Sequence, residues 1–343
     1  MRTYLLPQGG QFYKANLHCH TVLSDGKKTP EEIKEIYKSN GYAVVAYTDH
    51  DILIPHPELC EEEFIALNAF EVEPTEPKSP GKELYNLRKT CHICCIALEQ
   101  DNVTQPCWHR EKYLFGNAVN HRDKVKFDES LPDYERRYSG EGISEMMGIF
   151  REKGFFVTYN HPTWSSEQYT EYTNYHGMNA FEMFNGGCLR GGWEEYNPRV
   201  YDDILRAGER IFCIGADDNH NFDPLDSRRS DSFVAFTMIK AEKLSYRDVT
   251  RALENGHFYA SEAPTIEELY YEDGSVTIKC SAADRILLNT DMRSAKVAYA
   301  EGDTPLTEAT FKLSPDCRYF RLTVIDSTGK HACTNAYFKD SLT

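Results

Sequence analysis

The stretch Asn16-Leu17-His18-Cys19-His20, with Ser24-Asp25-Gly26 just behind it, decides how the fold of this chain is interpreted. It closes an apolar-tending run that begins at Gln11, and it places two histidines at positions i and i+2. In an extended strand this spacing directs both imidazoles to one face. Two neutral imidazoles on one face form half of a site for zinc, manganese or iron. The alternative is an ordinary polar strand face, and only the rest of the chain distinguishes the two.

The composition is that of a soluble globular protein, with 41% hydrophobic and 27% charged residues. The 343 residues predict one large domain plus a smaller one. The formal charge of −16 argues against a surface that coats nucleic acid, so no stable nucleic-acid partner is expected. No apolar run approaches the roughly 20 residues of a membrane helix, so no membrane partner is expected. Eleven cysteines, several within apolar runs, predict reduced thiols and a cytoplasmic location.

Apolar strands alternate with amphipathic helices as far as residue 245. A helix over 30–39, with a capping box formed by Thr29 and Glu32, precedes a buried strand at 43–47. Further helices are predicted at about 143–153 and 199–207, each followed by an apolar strand. About seven strands in this order predict an α/β parallel sheet or a TIM-like barrel.

Side chains of metal-ligand type gather at or near the strand ends. They are His18, His20, Asp25, His50, Glu71, His92, His161, Asp218 and His220. A single histidine is more often a core or surface residue than a ligand. Nine such groups in equivalent positions would not be desolvated together without a metal to accept their lone pairs. His92 is irregular, because it opens its apolar run whereas the others close theirs.

Two further regions interrupt or follow this pattern. Residues 99–141 are polar, aromatic and loop-like, which is typical of a lid or binding loop but also of a plain surface insertion. From residue 264 onward, short β-type runs and hairpin turns at 273–274 and 328–329 predict a small all-β sandwich. We therefore predict domains at 1–263 and 264–343. The β domain carries no recognisable chemistry, and its expected roles are packing, pocket closure or contact in a homodimer.

Seven motifs together resemble those of the polymerase-and-histidinol-phosphatase (PHP) superfamily of metal-dependent phosphoesterases. They are HCH at 18–20, SDG at 24–26, TDHD at 48–51, FEVE at 70–73, His92 within CHICC, NHP at 160–162 and DDNH at 217–220. The resemblance covers roughly residues 10–257. It implies a distorted (β/α)7 barrel with a three-metal cluster at the C-terminal ends of the strands. Some members also carry a β-type C-terminal extension, similar to the one here.

The resemblance also implies a division of the ligands. One metal would be held by His18, His20, Glu71 and Asp218; Glu71 would bridge to a second metal, completed by His92 and His161; Asp25, His50 and His220 would hold the third. Asp217 is an alternative to Asp218 as the carboxylate ligand. We choose Asp218 because the family pattern is aspartate, any residue, histidine. Some members have histidine at position 25, and the aspartate here favours manganese or iron over zinc. The catalytic residues are predicted to be Glu71, Asp218 and His220.

The predicted activity is hydrolysis of a phosphate ester of a small metabolite or nucleotide. Clustered divalent ions would acidify a bridging water to hydroxide and neutralise the phosphoryl oxygens. Arg190, Arg228 and Arg229 are candidate phosphate-binding residues, with solvated surface arginines as the alternative. Two other functions stay open: a hydrolase of non-phosphate esters or amides, and a barrel that binds metal without catalysis.

Overall fold

The computed structural model describes residues 2–302 and 304–342, so Met1, Asp303 and Thr343 of the predicted domains lie outside the described residues. The strands are β1 (Thr3–Tyr4), β2 (Gln11–Asn16), β3 (Tyr42–Tyr47), β4 (Ile65–Val72), β5 (His92–Ala97), β6 (Phe155–Asn160), β7 (Ala180–Asn185), β8 (Phe212–Ala216), β9 (Phe236–Ala241), β10 (Phe258–Ser261), β11 (Ile266–Glu272), β12 (Ser275–Ala283), β13 (Arg285–Thr290), β14 (Lys296–Tyr299), β15 (Leu306–Lys312), β16 (Tyr319–Ile325), β17 (His331–Thr334) and β18 (Tyr337–Phe338). The helices are α1 (Pro30–Ser39), α2 (Gly140–Glu152), α3 (Tyr169–Tyr172), α4 (Gly186–Gly191), α5 (Pro198–Ala207) and α6 (Tyr246–Glu254).

The helices begin where the sequence provides N-caps. The predicted capping box of α1 is confirmed, because Thr29 accepts from the backbone of Glu32 and Glu32 accepts from the backbone of Thr29. Ser139 caps α2, so this helix begins three residues before the predicted start at 143. Ser245 caps α6 in the same way. Each of these three helices buries an apolar face against the sheet.

Most strands belong to one long mixed sheet. Its order is β14-β13-β16-β17-β10-β9-β2-β3-β4-β5-β6-β7-β8, with β18 beside β16. The pairs β2–β3, β3–β4, β6–β7 and β7–β8 are parallel, whereas β9 runs antiparallel to both β2 and β10. A second, antiparallel sheet has the order β1-β11-β12-β15. The chain is therefore a mixed α/β protein with one large sheet.

The predicted TIM-like barrel is not confirmed. β8 ends the long sheet, and within residues 2–302 and 304–342 no strand ladder joins it to β2. The two ends nevertheless meet, because Cys19 and Asn219 form an isolated parallel bridge. β9 also reaches β8, where the Thr237 hydroxyl donates to the Gly215 carbonyl oxygen at 2.8 Å. The sheet thus curls until the C-terminal ends of β2 and β8 lie side by side.

The direction of β5 corrects the prediction of a parallel sheet. β5 runs antiparallel to both β4 and β6. A parallel neighbour requires a crossover, usually a helix, and the segment between β4 and β5 contains only a short 3-10 turn at Tyr85–Leu87. The reversal brings the N-terminal end of β5 to the rim formed by the C-terminal ends of the other strands. His92 therefore opens its strand and still lies at that rim.

The C-terminal strands pack in two layers. One apolar cluster lies between the small sheet and strands β10, β13, β16 and β17 of the long sheet, and it includes the fully buried Leu269, Ile286 and Phe320. The predicted hairpin turns at 273–274 and 328–329 are confirmed between β11 and β12 and between β16 and β17. The long sheet continues from β2 through β9 and β10 into this region, and the division into two domains stays a prediction.

The insertion at residues 99–141 is tied to the rest of the chain. Its one helical element is a 3-10 helix, Gly116–Lys124. A buried ion pair anchors it, with Arg136 Nη2 2.6 Å from Asp51 Oδ1. The backbone nitrogen of Asn117 also donates to the Ser24 carbonyl oxygen at 2.8 Å. These contacts hold the insertion against the loops that follow β2 and β3.

No helix in the described part of the chain is long and apolar enough to cross a membrane.

Candidate metal centre

The loops at one rim of the long sheet bring all nine predicted ligands together. Eight of them follow or close strands β2, β3, β4, β6 and β8: His18, His20, Asp25, His50, Glu71, His161, Asp218 and His220. The ninth, His92, opens β5. They form four overlapping groups of three or four side chains, and within each group the ligand atoms lie within 4.8 Å of one another. The structure therefore gathers into one place residues that are spread over some 200 positions of sequence.

The tightest group is a triangle of electron-rich atoms. His18 Nε2 lies 3.1 Å from His20 Nε2 and 3.1 Å from Asp218 Oδ1, and His20 Nε2 lies 3.0 Å from the same oxygen. His18 Nδ1 is 2.9 Å from Glu182 Oε1, so the His18 proton is assigned to Nδ1 and the Nε2 lone pair faces the triangle. Ligands about 2.1 Å from one ion stand about 3.0 to 3.4 Å apart. The triangle has the spacing of ligands around an ion.

Glu71 lies at the centre of the cluster. Its Oε1 is 3.2 Å from His18 Nε2 and 3.0 Å from His92 Nδ1. Its Oε2 is 3.2 Å from His50 Nδ1 and 3.4 Å from His20 Nε2. The side chain is fully buried. One carboxylate thus faces imidazoles on both of its oxygens, which is the arrangement of a bridging ligand.

The third group lies towards the solvent. Asp25 Oδ2 is 3.4 Å from His220 Nε2 and 3.8 Å from His50 Nε2. The His20 ring stacks between those of His50 and His220, with both centroid distances 4.3 Å. The Asp25 side chain is 29% exposed, which makes this group the most open of the cluster. His20 joins it to the triangle.

The charges of the cluster suit a bound cation. Burial alone would lower the pKa of His20, but its contacts with Asp218 and Glu71 outweigh burial and raise the pKa to about 10. Burial and the neighbouring His20 lower the pKa of His50 to about 4. Glu71 Oε2 and Asp218 Oδ1 are buried and lack a hydrogen bond of normal geometry within the described residues. Buried carboxylate oxygens in this state are stabilised by positive charge, so the residues present fit divalent metal.

Asp217 and Asp218 have different surroundings. The Asp217 carboxylate accepts from the backbone nitrogens of Phe233, Val234 and Ala235 at 2.7 to 3.0 Å. Its oxygens are therefore occupied in holding the start of β9, whereas Asp218 faces the imidazoles. Asp218 has a φ of 51°, a left-handed value that is uncommon for a residue with a side chain and typical of functional positions.

Three carboxylates of the site carry no predicted role. Glu182 accepts from His18, as described above, and Glu73 Oε2 lies 3.1 Å from His92 Nε2. Asp231 accepts from the backbone nitrogen of His220 at 2.7 Å. Glu182 could have been recognised from the sequence, because it is the one acidic residue in the largely apolar strand β7. Asp231 had none, since it lies in a polar loop of ordinary composition.

The predicted arginines do not line the site. A cavity of about 590 Å³ opens over the cluster, and Arg190, Arg228 and Arg229 are absent from its walls. Arg190 lies on α4, a short helix that Asn185 caps. Arg229 pairs instead with Asp223 at 3.5 Å. All three side chains are exposed. The positions of these arginines do not support a role in substrate binding, which stays a prediction.

Solved structures similar to this chain include a two-domain protein from Bacteroides vulgatus that contains a predicted PHP-like metal-dependent phosphoesterase. The match has 17% identity and a TM-score of 0.42, and it covers 98% of this chain and 90% of that chain.

Two further solved structures are similar to a smaller share of this chain. A candidate metal-dependent phosphoesterase from Bifidobacterium adolescentis is 17% identical, with 65% of this chain and 91% of that chain covered and a TM-score of 0.39. An amidohydrolase from Chromobacterium violaceum, solved with bound sulfate and no metal, is 13% identical, with 60% and 87% covered and a TM-score of 0.31. No protein-family model and no curated protein matches the chain. The function is therefore inferred from the geometry of the site.

Proposed function

We propose that this protein is a metal-dependent hydrolase of the PHP type, and that it cleaves phosphate esters with two or three divalent ions, manganese, zinc or iron. The observation that carries the proposal is the triangle formed by His18, His20 and Asp218, whose sides of 3.0 to 3.1 Å match the spacing of ligands on one ion. We also propose that the curled sheet is a distorted barrel closed at the rim where β2 meets β8.

The proposed ligand sets are those that the resemblance implies. The measured groups match the triangle and the outer set, whereas His161 groups with His18 and Glu71, and His92 with His50 and Glu71. The triangle and Glu71 would hold one ion, and Glu71 would bridge to a second ion with His92 and His161. Asp25, His50 and His220 would hold the third, with His20 beside them. The buried position of Glu71 suits a shared ligand, because both of its oxygens face imidazoles.

Divalent ions held here would lower the pKa of water and neutralise charge on phosphoryl oxygens. The chain's own groups keep the site oriented. Glu182 holds the His18 proton on Nδ1 and so directs Nε2 into the cluster. His220 is the most exposed imidazole of the set, at 21%, and its Nδ1 is 3.1 Å from the Asp218 carbonyl oxygen. Its Nε2 therefore faces Asp25 and the cavity, where it can serve as a ligand of the outer ion.

Hydrolysis of simple esters tests this function. The purified protein, supplied with Mn²⁺, should release 4-nitrophenol from 4-nitrophenyl phosphate or bis(4-nitrophenyl) phosphate. Glu71→Gln should lower kcat by at least about 100-fold while the circular dichroism spectrum is unchanged. Glu58→Gln, an exposed carboxylate beside His56, should retain full activity. Bound metal with no turnover of either phosphate would favour a binding module, and turnover of 4-nitrophenyl acetate alone would favour a non-phosphate esterase.

A further inference from the structure

Aromatic side chains surround the mouth of the metal site. Five of them line the cavity and come from five separate segments: Tyr85, Phe115, Trp164, Trp193 and Phe222. Three of these side chains are exposed, at 42% for Tyr85, 43% for Trp193 and 63% for Phe222. Large apolar side chains left exposed around a concave site commonly mark a ligand surface.

The rings approach the metal-binding imidazoles closely. The Phe115 ring centroid is 4.6 Å from that of His50, and the Phe222 ring stacks on His220 at 5.7 Å with an interplanar angle of 11°. Trp164 lies edge-on to His92 at 5.0 Å. A group bound at the metals would therefore meet aromatic surface directly. Planar aromatic groups gain about 0.5 to 1.5 kcal/mol from such contacts beyond burial of their area.

The charge of the cavity limits the charge of its ligand. The described residues that line it include five carboxylates, Asp25, Glu71, Glu73, Asp218 and Asp231, and no lysine or arginine. Two or three divalent ions would bring the net charge to between about −1 and +1, with histidines neutral as ligands. Lys27 lies over the outer Phe222 ring, with Nζ 4.7 Å from its centroid, and does not line the cavity. With three ions, at about +1, a singly charged ester is neutralised, whereas a dianionic phosphate would exceed the positive charge available.

We propose that the substrate is a singly charged phosphodiester with a planar aromatic group, such as an aryl or nucleobase-bearing group, next to the phosphate. This inference rests on the proposed phosphoesterase function and specifies its substrate class. The ions neutralise the single negative charge, and the aromatic rim binds the ring. Aliphatic phosphate monoesters have twice the charge and no ring, so they bind poorly.

Three esters with the same leaving group, 4-nitrophenolate, separate charge from aromaticity. Ethyl 4-nitrophenyl phosphate and 4-nitrophenyl phosphate differ in charge, and the diester should have the higher kcat/KM by at least about tenfold. Phenyl 4-nitrophenyl phosphate and the ethyl ester have the same charge and differ in one ring. The phenyl ester should have the lower KM, by about fivefold.

Variants at the rim assign the ring preference to named residues. Phe222→Ala and Trp193→Ala should reduce the phenyl advantage to less than twofold. Tyr299→Ala is the matched control, because Tyr299 on β14 is 62% exposed, close to the 63% of Phe222, and is not part of the cavity wall. This control variant should retain the fivefold difference.

A binding measurement gives a readout without turnover. Diphenyl phosphate, a diester with a poor leaving group, should bind the Mn²⁺-loaded protein at least about fivefold more tightly than diethyl phosphate by calorimetry, and Trp193→Ala should remove the difference. Equal affinities of the two diesters, or a preference for the monoester, would overturn the inference even if phosphate esters are hydrolysed. Preferential binding of diphenyl phosphate with no ester hydrolysis would keep the aromatic site and refute the phosphoesterase function.

Discussion

At the scale of single residues, the site depends on carboxylates that orient its imidazoles. Glu182 lies within β7 and is buried, and its two carboxylate oxygens accept hydrogen bonds from His18 and Asn185. His18 in turn presents Nε2 to the triangle. A carboxylate in this position raises the basicity of a ligating histidine and fixes its tautomer.

We predict that Glu182→Gln weakens metal binding by about tenfold, because the amide still accepts from His18 Nδ1 but supplies no negative charge. Competition with a fluorescent chelator measures the affinity. Glu58→Gln is the control, since Glu58 also lies beside a histidine, His56, but is 60% exposed. An affinity unchanged in Glu182→Gln would remove this carboxylate from the account.

Glu167 makes a residue-scale prediction about pH. Burial raises its pKa to about 7, although Tyr138, Tyr159 and Tyr175 donate hydrogen bonds to it. The folded state therefore favours the protonated acid, so this residue stabilises the fold most below pH 4.5 and loses that contribution as the pH rises to 7. Relative to Glu167→Gln, the wild-type free energy of unfolding should fall by roughly 3 kcal/mol between pH 4.5 and 8. Urea titrations at several pH values measure the free energy of unfolding of both proteins. If it changes with pH in the same way in the wild type and in Glu167→Gln, the prediction is wrong.

At the scale of elements, the ion pair between Arg136 and Asp51 joins the insertion to the loop after β3. Both side chains are buried, with 5% and 0% exposure. Burial of an unpaired charge is costly, so Arg136→Met should lower the free energy of unfolding by roughly 3 kcal/mol. Arg137→Met is the control, because the neighbouring Arg137 pairs with Glu145 at 50% exposure and should change stability by less than about 1 kcal/mol. Equal urea midpoints for the two variants would refute the anchor.

The elements also show what could be predicted from sequence. α1 and α6 were predictable to the residue, because Thr29 begins one, Ser245 begins the other and polar turn residues end both. The convergence of the nine candidate ligands was predictable because side chains of metal-ligand type recurred at strand ends, and their binding of metal stays a prediction. The reversal of β5 was not predictable, since an apolar strand buried on both faces has no direction in its pattern. β9 and β10 were not predicted either, because their antiparallel pairing depends on contacts between residues distant in sequence.

At the scale of the whole molecule, bound metal should contribute to stability. The cluster joins the ends of β2, β3, β4, β5, β6 and β8, so ions held there would bind the folded state and not the unfolded chain. Each ion present at about 1,000 times its dissociation constant adds about 4 kcal/mol. Removal of metal with a chelator should therefore lower Tm by many degrees and Mn²⁺ should restore it. In Glu71→Gln the difference in Tm between the metal-loaded and chelator-treated protein should be smaller by at least half. Differential scanning calorimetry measures both Tm values. If chelator leaves the wild-type Tm unchanged, the folded protein does not hold a metal cluster.

Elemental analysis of the intact protein after equilibration with Mn²⁺ and desalting tests most directly whether residues from six strands converge to hold a metal cluster. We expect two or three ions per chain for the wild type and the loss of at least one ion in Glu71→Gln, whose side chain faces imidazoles of both proposed inner sites. A wild-type chain with no retained metal, or a Glu71→Gln chain that retains the full wild-type number, would contradict it.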